Sequence, residues 1–175
     1  AKGKLLKSPK GRTIRPTSNL VRSAIFSMLE PYLDAARVLD LFSGTGALGV
    51  EALSRGADWV DFFESDSRQC SAIKENLKSL DYAAFGEVHR APAERAKTML
   101  DGSYDVILMD PPYSYDKLEM LLVEIGGSTL SHSGSVVAVE HSRRHDLPLE
   151  VDSLRLIKQR RYGETMVTVY QQGGE

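Results

Sequence analysis

The sequence holds a single cysteine, Cys70, so no internal disulfide can form and the chain suits a reducing compartment. No apolar run approaches the roughly 18 to 20 residues that cross a bilayer, and Ala1-Lys2-Gly3-Lys4 lacks the apolar core of a secretory signal. The expected compartment is therefore the cytoplasm. Ala1 stands where an initiator methionine belongs, which is read as a trimmed or absent native start. No repeat or low-complexity tract interrupts the chain. Metal-ligand spacing is also lacking: His141 and His145 have the i, i+4 spacing of a helical pair, but neither a cysteine nor a well-placed third ligand joins them and His132. No metal site is expected there, and these histidines are placed on the surface.

What is present suits one globular domain with a sizeable core: 175 residues, 42% hydrophobic and 26% charged. The net charge of −2 hides an asymmetry. Residues 1–37 carry eight basic side chains (Lys2, Lys4, Lys7, Lys10, Arg12, Arg15, Arg22, Arg37) against Glu30 and Asp34, a surplus of +6 that leaves −8 for the rest. A basic arm on an acidic body can meet a polyanion on one side only. A merely solvated tail has the same composition.

Gly3 to Thr13 reads as loop or extended chain, and Arg15-Pro16 disfavours helix. Thr17 or Ser18 can then cap a helix whose apolar face is Leu20, Ala24 and Met28 with Val21, Ile25 and Leu29, and which Pro31 is expected to end. From Arg37 the pattern changes to short apolar runs separated by helical ones. Val38–Phe42, Trp59–Phe63, Val106–Met109 and Val136–Val139 predict buried strands, with Phe85–His89 a weaker one. Cys70, Ile73, Leu77 and Leu80 share a face of a predicted helix over Ser67–Leu80, and Leu118, Leu121, Leu122 and Ile125 mark another. Such alternation predicts an α/β, doubly wound, mostly parallel sheet with helices on both faces. Leu154–Arg161 and Thr165–Tyr170, joined by Tyr162-Gly163-Glu164, predict a closing antiparallel hairpin.

Directly after the first strand, Ser43-Gly44-Thr45-Gly46-Ala47-Leu48-Gly49 forms a G-x-G-x-x-G element opening a helix. Glycines there permit a tight turn and close approach to a ligand at the carboxyl ends of the strands. Glu64 ends the second strand 18 residues after Gly46, where a carboxylate can accept both hydroxyls of a ribose. The same pattern describes dinucleotide binding. Asp40, just ahead of the loop, tilts the choice: its carboxylate suits the cationic amino end of a methionine moiety and would repel a pyrophosphate.

Asp110-Pro111-Pro112-Tyr113 follows the fourth strand and so falls on the same rim. An exocyclic base amine is a poor nucleophile until it pyramidalises, and acceptors around its hydrogens favour that change. The Asp110 carboxylate and the Pro111 carbonyl can be those acceptors, the two prolines stiffen the turn, and Tyr113 offers a ring for an extruded base. An incidental proline turn is the competing explanation.

With these residues assembled, the chain resembles the bacterial methyltransferases acting on N2 of a guanine in 16S ribosomal RNA. The likeness runs from about Lys2 to Tyr170 and rests on Lys10-Gly-Arg-Thr-Ile-Arg-Pro-Thr17, Val21-Arg-Ser-Ala-Ile-Phe26, Val38-Leu-Asp-Leu-Phe-Ser-Gly-Thr-Gly-Ala-Leu-Gly49, Glu51–Ala57 and Asp110–Tyr113. The resemblance implies a seven-stranded Rossmann-like class I sheet over 18–175, an RNA-binding arm over 1–17, and S-adenosylmethionine as methyl donor. It makes Asp40, Phe42, Gly44, Gly46 and Glu64 cofactor contacts, Asp110, Pro111 and Tyr113 the catalytic residues, and Lys10, Arg12, Arg15, Thr17 and Arg22 RNA contacts, within a small-subunit assembly. Two departures stand out. The usual strand before the Lys-Gly-Arg stretch is missing, so the arm is expected to be an incomplete hairpin. Where the family offers an aspartate to the adenine amino group, this chain has Ala91-Pro92-Ala93-Glu94, and Glu94 is the expected substitute.

Three rivals differ in class. A DNA adenine N6-methyltransferase needs a target-recognition domain for which little chain remains. A nicotinamide-dependent oxidoreductase has no use for Asp110–Tyr113, and a non-catalytic ribosome-binding module needs neither glycine loop nor tetrapeptide. Arg155, Lys158, Arg160 and Arg161 either extend an RNA surface or are an exposed strand face.

Overall fold

The structure, a computed structural model, describes residues 19–174. The basic arm and the Thr17 or Ser18 cap lie outside the described residues. Helix α1 (Asn19–Leu33) buries Val21, Ile25, Met28, Leu29 and Leu33 along one stripe. Leu20, in the first turn at the flank of that stripe, is 69% exposed rather than part of the core face. Pro31 does not end the helix: it lies within the final turn. Its ring nitrogen cannot donate to the carbonyl one turn back, that of Ser27, an exposed residue where water can take the donor's place.

Five parallel strands follow: β1 (Arg37–Leu41), β2 (Trp59–Glu64), β3 (Gly86–Arg90), β4 (Tyr104–Met109) and β5 (Ser131–Ser142). Between them run α2 (Ala47–Ser54), α3 (Ser67–Ser79), the short α4 (Ala96–Met99) and α5 (Leu118–Gly126). The last strands, β6 (Glu150–Val151), β7 (Leu154–Tyr162) and β8 (Thr165–Gln172), pair antiparallel, with β8 against β5. The sheet order is β3-β2-β1-β4-β5-β8-β7-β6. It has eight strands, not the expected seven, because β6 adds a two-residue edge against β7. Two residues are too few for the alternation by which a strand is recognised.

Side chains alternate across the sheet and feed two cores. Val38, Val60, Phe62, Val106 and Leu108 pack beneath α1, α2 and α3. Leu39, Leu41, Phe63, Ile107 and Met109 pack beneath α4 and α5. Gly49 belongs to this packing, since a Cβ there would collide with the Phe62 ring and allow α2 no such close approach. Among the described residues no helix is long and apolar enough to cross a membrane.

Strand order places the site. From β1 the chain winds outward to β2 and β3, then returns to add β4 on the other side of β1. The crevice at the carboxyl ends of β1 and β4 is thus the topological switch point, where open α/β sheets bind ligands. Leu41 lies opposite Met109 there, so the loops that follow each strand start side by side.

Candidate active site

The glycine loop leaves β1 through Phe42, whose φ of 59° is left-handed, a costly conformation for a bulky residue. Gly44 (φ 58°) and Gly46 (φ 82°) continue the turn into α2. A Cβ at Gly44 would meet nothing within 4 Å, so the loop borders open space. Ser43 N–H donates to the Phe63 carbonyl at 2.9 Å, tying loop to β2.

Glu64 is half-buried at the end of β2. Its Oε1 accepts from Gly44 N–H (3.0 Å) and its Oε2 from Asp66 N–H (2.7 Å). Each carboxylate oxygen has a second lone pair, so both can still accept a hydroxyl. Asp66 in turn caps α3, accepting from Arg68 and Gln69 N–H. Cys70 is buried below, its thiol 3.2 Å from the Glu64 carbonyl, in the core position expected of it.

Asp40 shares the α2 face of the sheet with Val38 and is 1% exposed. One oxygen, Oδ2, accepts from Gly49 N–H at 3.1 Å, and the other, Oδ1, has no hydrogen-bond partner among the described residues. Burial pushes its pKa up to about 8, partly offset by the Gly49 bond and reinforced by the charges of Asp110 and Glu64. The raised value means that the folded, cofactor-free protein holds a proton which the unfolded chain releases near pH 4. Stability from this group is therefore present below pH 4 and lost as pH rises toward 8, by about 1.4 kcal/mol per pH unit at most. Thermal unfolding of cofactor-free protein between pH 5 and 8 should show this decline, and Asp40→Asn should flatten it. Parallel pH profiles for parent and variant would mean that Asp40 stays ionised.

Asp110 is half-buried and Pro111 buried, whereas the Tyr113 ring is 52% exposed. The Tyr113 and Thr165 hydroxyls lie 3.0 Å apart, so the tip of the β7–β8 hairpin borders the tetrapeptide. Tyr115 closes the opposite side. Its hydroxyl donates to Glu94 Oε1 (2.6 Å), and its ring meets that of Phe42 edge-on at 4.9 Å. Burial and the bond to Glu94 both push the Tyr115 phenol pKa up, so it stays a donor.

The structure thus brings Asp40, Phe42, Gly44, Gly46, Glu64, Glu94, Asp110, Pro111 and Tyr113 to one rim. Arg22 lies on α1, bonded to Asn19 at 2.8 Å. Lys10, Arg12, Arg15 and Thr17 lie outside the described residues. Tyr115 and Thr165 were not anticipated: two residues past the tetrapeptide, an aromatic is a signal only once Glu94 is known to face it. His141 corrects the surface assignment. It is buried on β5 rather than in a helix, its Nε2 2.7 Å from Thr168 Oγ1, and burial lowers its pKa. Lys158, Arg160 and Arg161 are exposed on β7, while Arg155 pairs with Glu150 at 3.3 Å.

A doubly wound sheet with glycine loop, acidic β2 terminus and Asp-Pro-Pro-Tyr turn at one switch point defines a Rossmann-like methyltransferase. A family model described as "Conserved hypothetical protein 95" matches residues 1–171. The chain belongs to this family. It is 38% identical over 176 residues to a putative rRNA methyltransferase, YlbH, of Bacillus subtilis, covering 99% of this chain and 96% of that protein. With ribosomal RNA small subunit methyltransferase D of Escherichia coli it shares 28% identity over 170 residues, 97% of this chain and 85% of the other. The solved structure of putative methyltransferase yhhF from Escherichia coli superposes with a TM-score of 0.85 at 28% identity, covering 97% of this chain and 92% of that one. An RNA methyltransferase from Salinibacter ruber, solved in complex with S-adenosyl-L-homocysteine, shares the fold with a TM-score of 0.70 at 17% identity, over 92% and 95% of the two chains.

Proposed function

We propose that this protein transfers a methyl group from S-adenosylmethionine to the exocyclic N2 of a guanine in 16S ribosomal RNA, acting in the cytoplasm on RNA within a small-subunit assembly. The observation that carries the reading is the convergence of three carboxylates, Asp40, Glu64 and Asp110, with the exposed Tyr113 ring at one switch point. Residues at the rim fit the cofactor. Asp40 Oδ1 is a buried acceptor suited to an ammonium, Glu64 retains two lone pairs for a ribose, and the space beside Gly44 admits a ligand against the backbone. Glu94, oriented by Tyr115, is the acceptor for an adenine amino group.

When bound, S-adenosylmethionine supplies a methyl on a cationic sulfur, an electrophile that needs no metal. Asp110 and the Pro111 carbonyl accept hydrogen bonds from the target amine, which favours its pyramidal form and frees its lone pair from the ring. Tyr113 stacks on the base, and Thr165 fixes the direction of its ring through the hydroxyl.

Incubation with labelled S-adenosylmethionine and small-subunit particles, naked 16S RNA or DNA, followed by nucleoside analysis, tests the reading. Labelled N2-methylguanosine from the RNA samples is the expected product. Labelled N6-methyladenine from DNA would replace it with the DNA-modifying alternative.

The arm is assigned to phosphate contacts. Replacing Lys10, Arg12 and Arg15 should reduce the slope of log affinity against log salt by about 0.7 per lost contact on single-stranded RNA, about 2 in all. Identical slopes for variant and parent would make these side chains solvated and nothing more.

A further inference from the structure

Away from the rim, β2 carries a buried carboxylate that methyl transfer does not use. Asp61 is 3% exposed, on the same sheet face as Phe63. Its Oδ2 accepts from the Tyr104 hydroxyl (2.6 Å) and from Trp59 Nε1 (2.9 Å). Those two donors turn Oδ1 toward His89 Nε2, 2.8 Å away on β3. The His89 ring is itself held, stacked on Phe63 with centroids 4.7 Å apart. Glu87, exposed on the same strand, completes a group in which one donor atom from each of Asp61, Glu87 and His89 lies within 4.8 Å of the others. An open depression of about 780 Å³ lies over them. Its lining includes Arg37 and Trp59, the first residues of β1 and β2, whereas Glu64 and Asp110 stand at the carboxyl ends of β2 and β4.

We propose that Asp61, Glu87 and His89 form a divalent transition-metal site, with zinc the best-matched ion. One imidazole nitrogen and two carboxylates are a zinc donor set, and an all-oxygen preference sets calcium and magnesium apart. Metal bonds of about 2.0–2.2 Å put tetrahedral neighbours roughly 3.3 Å apart, so His89 and Asp61 need to open by only about half an ångström. The depression leaves the fourth position to water. Trp59 and Tyr104 provide the outer hydrogen bonds that orient a ligating carboxylate, and the stacked Phe63 fixes the imidazole. Asp58 and Asp101 line the same depression and add negative charge. Arg37 opposes a cation, but its guanidinium is engaged over the Tyr104 ring at 4.5 Å and with the Asp101 carbonyl at 3.0 Å. Binding replaces the His89–Asp61 hydrogen bond with a bond from each residue to the ion. The ion then pins the β2–β3 edge and takes no part in methyl transfer.

Metal-stripped full-length protein titrated with Zn²⁺ by calorimetry, and with Co²⁺ by visible absorption, tests the site. Expected results are one equivalent bound, low-coordinate Co²⁺ bands, and a higher thermal midpoint with Zn²⁺. Glu87→Gln, at an exposed position where folding is not at risk, and His89→Gln should each weaken binding at least tenfold, and a chelator should leave methyl transfer unchanged. No uptake at millimolar metal, or uptake that either substitution leaves unaltered, would overturn the proposal and reduce His89 and Asp61 to an ion pair.

Discussion

Asp110→Ala is expected to slow single-turnover methyl transfer by about 10² to 10³ while affinities for RNA and cofactor hold. The magnitude follows from the loss of one preorganised polar group at a reacting centre. Its selectivity for rate over binding has a separate cause. In the ground state the amine is conjugated and planar, and water satisfies its hydrogens almost as well as a carboxylate does. As the nitrogen pyramidalises and gains positive character, an anionic acceptor gains strength, so the interaction belongs to the transition state. Asp110→Asn retains the shape and one acceptor oxygen without the charge, and should fall between parent and alanine variant. Removing Asp110 also relieves its repulsion of Asp40, which can only favour the Asp40 carboxylate. Parental rates for Asp110→Ala at saturating ligands would leave the tetrapeptide as a turn.

Glu64→Ala should weaken cofactor binding at least tenfold, and by more than about a hundredfold where both ribose hydroxyls bond to it. Charge-assisted hydrogen bonds contribute roughly 1.5–3 kcal/mol each. A second loss adds to the first, because the same carboxylate holds Gly44 N–H and Asp66 N–H, joining the glycine loop to the start of α3. Glu64→Gln separates the two: its amide oxygen can keep one backbone donor while the charge is gone. Calorimetry on variants with parental circular dichroism gives the answer, and unchanged affinity in folded Glu64→Ala would remove this residue from the site.

How far the sequence disclosed this arrangement depends on the range of the interactions. Strands β1, β2 and β4 were legible because burial on both faces leaves apolar runs, unbroken over Val106–Met109 in β4 and interrupted only by Asp40 in β1 and Asp61 in β2, and Gly44 and Gly46 because a tight turn directly after a strand favours glycine. That Asp40 and Asp110 act on one another was not legible, since it follows from β4 pairing with β1 across α2, β2, α3, β3 and α4. Pairing also hid the hairpin tip. Thr165 reaches Tyr113 only because β8 runs antiparallel to β5. His141 misled because histidine is polar, yet on β5 its neighbours Thr168 and Gln159, bonded to each other at 2.8 Å, form a satisfied polar island. Leu20 erred the other way, an apolar residue left at the flank of an amphipathic stripe.

The direction of β8 bears on how the protein can be handled. It starts at the rim with Thr165 and runs to Gln172, opposite the amino-terminal half of β5, so the chain leaves the sheet at the far end from Tyr113. A tether or affinity handle attached beyond Gln172 should hold the protein to a sensor surface with the rim that carries Tyr113 turned outward, clear of the support.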